Sequence, residues 1–191
     1  MNELVRPLMN RFFFLVLLSL NMAAASTAHA EKADSDQPTN VEADQMAYDD
    51  VKQVNTFSGN VVLVRGSLIM KAHKMVVTQD PAGFQFAVLY AAPGTSATFR
   101  QKRDGGPDLW IEGQADRIEY DGKVELLKLF SKAKMRRLEG VKPTDEVKGE
   151  FISYDSHAEF FSVNNTVTGE SKPGAGRVVV VIQPHTPPKE K

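Results

Sequence analysis

The chain has 191 residues, with 23 Lys and Arg against 24 Asp and Glu, a net charge of −1 and no cysteine. That balance excludes the concentrated basic surface of a nucleic-acid binder, and the missing thiols exclude disulfides and cysteine chemistry. About 160 residues remain beyond the N-terminal leader described next, enough to bury a core without staples and suited to one domain.

Residues 1–30 read as a cleaved signal peptide: Arg6 and Arg11 lead, residues 12–20 are apolar, and Ala28-His29-Ala30 is a small-x-small cleavage site. The mature domain is expected over residues 31–183, with a flexible Pro-rich tail at 184–191. The domain carries no helical stripe. Short segments alternate with period two and are closed by Gly, Asn, Asp or Pro, which predicts an all-β protein. In chain order, Thr39, Val41 and Ala43 lie in a first edge strand. Strands then follow around Val61-Val62-Leu63-Val64, Leu68-Ile69-Met70, Phe84 to Tyr90, Ala97 to Phe99, Ile118 to Tyr120, Leu126 to Phe130 and Ile152 to Tyr154. Turns are expected at Asp49-Asp50, Gly59-Asn60, Asp80-Pro81-Ala82-Gly83, Pro93-Gly94, Asp104-Gly105-Gly106-Pro107, Asp121-Gly122 and Asn164-Asn165. At around ten residues per strand and turn this gives roughly 14–16 strands, too many for one flat open sheet, so two layers of about eight or a curled shape are expected. The last strand, Val178-Val179-Val180-Val181-Ile182, is uncharged and β-branched throughout. Soluble monomers usually blunt such an edge, so Val178, Val179, Val180 and Val181, with Thr39, Val41 and Ala43 at the opposite end, are expected to pair with other chains.

A seven-residue phrase recurs: Ala43-Asp44-Gln45-Met46-Ala47-Tyr48-Asp49, Ala115-Asp116-Arg117-Ile118-Glu119-Tyr120-Asp121 and, more weakly, Gly149-Glu150-Phe151-Ile152-Ser153-Tyr154-Asp155, with a degenerate Ala72-His73-Lys74-Met75 between. Repetition on a period of roughly 30–40 residues points to stacked units and an elongated groove rather than one pocket. Several strands are apolar on both faces. An ordinary filled sandwich would explain that, as would a wide interior that is lined but left unfilled for an apolar ligand.

Little in the chain suggests catalysis. His73, His157 and His185 lack metal-ligand spacing. The recurring acids Asp44, Asp116 and Glu150, with Asp49, Asp121 and Asp155, come as one pair per copy, whereas acid–base catalysis needs a single asymmetric pair. They read as strand-end and turn residues. Gly174-Ala175-Gly176 lacks the setting of a phosphate loop, and Asn164-Asn165-Thr166 reads as a turn before a glycosylation acceptor. No enzyme activity, metal or cofactor is expected. The basic stretches Lys102-Arg103 and Lys132 to Arg137 read as solvated faces or loops, with contact to phosphorylated or anionic groups as the alternative.

The stretches Val41-Glu42-Ala43-Asp44-Gln45-Met46, Thr56-Phe57-Ser58-Gly59-Asn60-Val61, Arg65-Gly66-Ser67-Leu68 and Ala72-His73-Lys74-Met75-Val76-Val77 are followed in order by Ala97-Thr98-Phe99-Arg100-Gln101, Ile111-Glu112-Gly113-Gln114-Ala115-Asp116 and Val147-Lys148-Gly149-Glu150. Together they resemble the OstA-like domain family of periplasmic lipopolysaccharide-transport proteins, the LptA family, over nearly the whole mature chain. His73, where the family usually repeats the acid, and Arg65, where Gln is common, depart from it. The resemblance implies an open-ended, curled antiparallel β-jellyroll that stacks end to end in the periplasm of a Gram-negative cell. It also implies an interior that shelters the lipid A part of lipopolysaccharide, an inner-membrane partner of the LptC type, an outer-membrane translocon of the LptD type, and energy from an inner-membrane ATPase.

On that basis the groove lining is expected to be Val41, Phe57, Val61, Leu63, Leu68, Met70, Phe84, Phe86, Phe99, Ile118, Tyr120, Met135, Ile152 and Phe161. A one-residue slip in any strand would turn its whole set outward. The alternative function is a structural adaptor that joins membrane proteins by strand addition and binds no lipid; it predicts a filled core.

Overall fold

A computed structural model of the chain describes residues 34, 36–106 and 108–184. The leader expected at 1–30 and residues 185–191 of the tail lie outside the described residues. Twelve strands form one antiparallel sheet: β1 (Asn40–Glu42), β2 (Gln45–Asp49), β3 (Val54–Arg65), β4 (Leu68–Gln79), β5 (Gln85–Tyr90), β6 (Ala97–Lys102), β7 (Leu109–Ala115), β8 (Arg117–Asp121), β9 (Leu126–Glu139), β10 (Lys142–Asp155), β11 (Phe160–Asn164) and β12 (Val179–Ile182).

Four strands, β3, β4, β9 and β10, are long enough to pair twice on one side. β3 takes β2 along residues 54–58 and β1 along 62–64. β4 takes β5 along 74–79 and β6 along 69–71. β9 takes β8 along 126–130 and β7 along 134–139, and β10 takes β11 along 151–155 and β12 along 145–148. The sheet therefore folds over into two layers, β2-β3-β4-β5-β8-β9-β10-β11 and β1-β3-β4-β6-β7-β9-β10-β12, which share the long strands. The count of twelve falls short of the expected 14–16 because β3, β4, β9 and β10 run on for 12–14 residues where about ten per strand and turn was assumed; taken as halves, they restore that range and the two layers of eight.

The internal repeat marks the fold line. Ala43-Asp44 joins β1 to β2, Ala115-Asp116 joins β7 to β8, Gly149-Glu150 sits at a register shift within β10, and Ala72-His73 is where β4 passes from its β6 pairing to its β5 pairing. Gly59-Asn60, expected as a turn, is instead a bulge inside β3, with the register shifting between Ser58 and Val61 and φ of 77° and 46°. In β9 the same corner is made by Ser131 and Lys132 at φ 63° and 52°. Bulges of this kind bend a strand without ending its pairing. Each is tied to a repeat acid: Asp44 N donates to Gly59 O at 2.9 Å and Asn60 Nδ2 to Asp44 Oδ2 at 2.9 Å, while Asp116 N donates to Ser131 O at 3.1 Å and Lys132 Nζ to Asp116 Oδ2 at 3.0 Å. The second acid of each copy opens a turn, as expected. Asp49, Asp121 and Asp155 accept from the backbone N–H of Lys52, Lys123 and Ala158 at 3.0, 2.9 and 2.9 Å. One copy thus encodes a corner, a five-residue strand of the first layer and the turn that closes it.

Inner positions of both layers form one apolar core, in which Met70, Met75, Leu89, Ile111, Ile118, Leu129, Ile152 and Tyr154 are fully enclosed. Phe99 of one layer stacks on Tyr154 of the other at 6.4 Å between ring centroids. Its ring lies over Gly113, where an added Cβ would strike it and come within 2.9 Å of Leu129 Cδ2. Gly113→Val is accordingly expected to lower stability by about 1–3 kcal/mol through overpacking. An unchanged urea-unfolding midpoint would show that the layers are not closed on each other there.

Candidate functional site

The space between the layers is bounded by the fold line on one side and, on the other, by a mouth where the turns of the two layers meet. Of the residues expected to line it, the second layer contributes Val41 (β1), Val61 and Leu63 (β3), Leu68 and Met70 (β4), Phe99 (β6) and Met135 (β9). The first layer contributes Phe57 (β3), Ile118 and Tyr120 (β8), Ile152 (β10) and Phe161 (β11). All of these belong to the core or pack against it.

Phe84 and Phe86 do not. Burial along β5 places Ala87 and Leu89 inside and sends Phe86 to the alternate face. Phe84 precedes the strand: its N–H donates to Asp80 Oδ1 and its carbonyl accepts from Asp80 N–H, both at 2.9 Å, so it closes the turn and lies exposed beside the Lys123 ammonium. The aromatic residues suggest the wrong face because the turn takes one residue more than the alternation allows. Inner residues left out of the expectation include Met75, Val77, Leu89, Ile111, Leu127, Leu129, Val147 and Tyr154. Register was the available signal: Leu129 and Leu127 stand opposite Ile118 and Tyr120 in the neighbouring strand.

The interior was expected to be lined but unfilled. It is filled by its own side chains through the middle, because two apolar faces with nothing between them close to escape water. The ends are different. Met46 and Tyr48 occupy in β2 the inward positions that Ile118 and Tyr120 hold in β8, yet are 53% and 49% exposed because no further strand among the described residues covers them. At the opposite end Val180, inward beside the buried Val147, is 54% exposed. The apolar interior therefore runs out into solvent at both ends of the stack.

The edge strands lie where the sequence analysis put them. Among the described residues β1 hydrogen-bonds only to β3, and β12 only to β10, and every residue of β12 is exposed. Thr39, Ala43 and Val178 flank these strands rather than belong to them. The last edge is delivered by a loop that Asn165 pins: its Nδ2 donates to Lys172 O and Gly176 O at 2.8 and 3.0 Å, and its Oδ1 accepts from Lys172 N–H at 2.9 Å. That loop returns the chain to β10 rather than to β11, which a simple hairpin at Asn164-Asn165 would not do.

Charge is sorted by face. Outside, Glu112 bridges Arg100 and Arg136 at 2.5 and 2.9 Å, and Glu146 bridges Lys134 and Lys148 at 2.8 and 2.9 Å. Hydrogen bonds from Lys134 and then Lys148 hold the Glu146 carboxyl below its ordinary range. Most of the basic stretch at 132–137 is thus a solvated face, as expected, but Arg137 turns inward. At the mouth, Arg65 donates to the Tyr120 hydroxyl, Arg103 pairs with Glu159 at 2.5 Å, and Arg137 lies over the Phe161 ring at 5.1 Å. Burial pushes the Tyr120 hydroxyl above its usual range, with Arg65 opposing that rise. Among the described residues no group of three or more metal-ligating side chains occurs, and no helix is long and apolar enough to cross a membrane.

This layout can be set against known proteins. The family model for LptA/(LptD N-terminal domain) LPS transport proteins matches residues 40–160. The lipopolysaccharide export system protein LptA of Haemophilus influenzae is 32% identical over 175 residues, covering 92% of both chains. LptA of Escherichia coli K12 is 34% identical over 140 residues, 73% of this chain and 71% of that protein. In fold, the chain is similar to the crystal structure of LptH, the LptA-homologous periplasmic component of the lipopolysaccharide transport device of Pseudomonas aeruginosa, with a TM-score of 0.68 and 24% identity over 80% of this chain and 99% of that one. With a family model that runs from β1 to the start of β11 and relatives a third identical across most of their length, the chain belongs to the LptA/(LptD N-terminal domain) family of LPS transport proteins.

Proposed function

We infer that this chain is a periplasmic lipopolysaccharide-binding transport protein that shields acyl chains between its two layers and helps bridge the inner and outer membranes. The observation that carries this reading is the apolar interior that emerges at both ends of the stack, at Met46 and Tyr48 on one side and Val180 on the other. Exposing a lipid chain to water costs about 0.8 kcal/mol per CH₂, so a chain of a dozen carbons costs about 10 kcal/mol. Several such chains cannot cross an aqueous compartment unaided. A trough lined by repeated strands offers similar binding at each step, so the lipid is not trapped in one deep minimum. The closed middle requires the layers to part as chains enter, with methionine and aliphatic side chains re-covering the trough once they leave; Met70, Met75 and Met135 suit such repacking. No catalytic step is part of this reading.

The exposed ladders support assembly with a component of the LptC type at one membrane, one of the LptD type at the other, and further copies between them. β12 offers four exposed apolar residues and, on the side away from β10, an unpaired backbone edge among the described residues, as β1 and β2 do on the side away from β3. Strand addition across such edges joins the hydrogen-bond ladder and the interior of adjacent units at once.

A filled centre also suits the adaptor reading, in which strands are joined and no lipid is bound. Photo-crosslinkers decide between the two. Placed at Phe57, Met70 and Phe161 they are expected to capture lipopolysaccharide, and at Phe86 and Lys128, on the outer face, they are not. Equal capture at all five positions, or at none, would leave the adaptor. For the edge, Val180→Asp is expected to reduce concentration-dependent association at least tenfold while the monomer keeps its melting temperature, because the substituted carboxylate would lie desolvated in the joint. Sedimentation showing unchanged association would remove β12 from the interface.

A further inference from the structure

At the mouth, opposite the fold line, three arginines stand on the inner face of the second layer: Arg65 at the end of β3, Arg103 just beyond β6 and Arg137 in β9. All three reach across to the first layer. Arg65 Nη2 donates to the Tyr120 hydroxyl, and its guanidinium lies 5.3 Å from that ring's centroid. Arg103 Nη2 is 2.5 Å from Glu159 Oε2. Arg137 Nη2 donates to the Glu159 carbonyl oxygen at 3.3 Å. The Nε–H of each is buried without a protein partner, as are Glu159 Oε1 and, away from the mouth on the outer face of β8, the Nε–H of Arg117.

Arg65 is the most exacting case. Its hydrogen-bond partner is the Tyr120 phenol, and it lines a cleft together with Asp36, Thr39 and Gln85. All three guanidiniums are partly exposed at the mouth, and each keeps an Nε–H that the contacts between the layers do not use. Nε–H and the adjacent Nη–H form the bidentate edge by which arginine grips a tetrahedral oxyanion.

We propose that Arg65, Arg103 and Arg137 form the contact for the phosphate groups on the headgroup of the lipid whose chains lie between the layers. This rests on the lipid-carrying reading above. A charged headgroup cannot follow its chains into an apolar interior, so it must stop at the mouth, where this rim stands. On arrival the phosphates exchange for the protein partners: the Tyr120 hydroxyl and the Glu159 carboxylate are released as the guanidiniums turn to the headgroup. Docking the headgroup and parting the layers are then one event. The rim combines the second residue of the Lys102-Arg103 stretch with the last of the stretch ending at Arg137, brought together with Arg65 only by the fold.

The test uses the full chain and two probes, lipopolysaccharide and the same lipopolysaccharide after enzymatic removal of its lipid phosphates. Wild type is expected to prefer the phosphorylated form. Arg65→Gln is expected to weaken binding of that form about tenfold or more and to leave the dephosphorylated form unchanged, with Arg65→Lys intermediate. Because Arg103→Gln alone would strand the Glu159 carboxylate, the double variant Arg103→Gln/Glu159→Gln serves as a second, neutral probe of the rim, with the same selective loss expected. Equal losses on both lipids, or equal binding of both by wild type, would overturn the phosphate contact while leaving the transport reading intact. Failure of wild type to bind either lipid would refute the transport reading and this proposal with it. Inorganic phosphate binding on its own, as tightly as the lipid and in an Arg65-dependent way, would make the rim a free-anion site and overturn the headgroup assignment.

Discussion

The backbone polar groups of β3, β4, β9 and β10 have to stay paired while these strands turn from one layer into the other. A strand that simply ended at the corner would leave N–H and C=O groups to be satisfied separately, and two independent sheets would be free to slide. The corner is instead made by residues with left-handed backbone, Gly59-Asn60 in β3 and Ser131-Lys132 in β9. For the non-glycine residues that conformation is strained. The repeat acids offset the strain: Asp44 and Asp116 donate their own N–H to the corner carbonyls and accept side-chain N–H groups with their carboxylates. One sheet folded on itself in this way fixes the alignment of the two inner faces along the whole stack.

That alignment is what makes an elongated apolar interior possible. Each added strand extends both layers together, and the inner residues meet across the gap as Phe99 meets Tyr154. Nothing in such a construction supplies a natural end cap. The inward Met46 and Tyr48 at one end and Val180 at the other are exposed and are the residues a further unit would cover. These exposed ends support strand addition as the proposed mode of assembly.

The two long sides of the interior differ in chemistry. The fold line is backbone, continuous and fixed. The mouth is closed chiefly by side chains, three arginines against a phenol, a carboxylate, a backbone carbonyl and a ring. Side-chain contacts with unused donors exchange readily, whereas a corner hydrogen-bonded through four strands does not. On the proposed reading, opening along the mouth alone would leave the register set by the fold line unchanged.

Much of this was legible from residues alone. Period-two alternation gave the all-β class, and the repeat gave stacking along an axis, because a strand's hydrophobic face is written locally in every second residue. The spacing of acids and turn residues was readable for the same reason: an Asp that opens a turn bonds to backbone two or three residues away. Other features were hidden. The Gly59-Asn60 pair signals a turn and a bulge equally well, and only its pairing with β2 on one side and β1 on the other separates them. Phe84 and Phe86 pointed to the wrong face because the preceding turn took one residue more than alternation implied. The sequence by itself determined which residues would make strands and that an uncharged edge would be left over at the end, since both are properties of neighbours in the chain. The tertiary structure alone decided that Arg65, Arg103 and Arg137 share one rim, that the interior closes on itself in the middle, and that it stays open at its ends. Those outcomes depend on which distant strands the fold line brings face to face, and no local pattern carries that information.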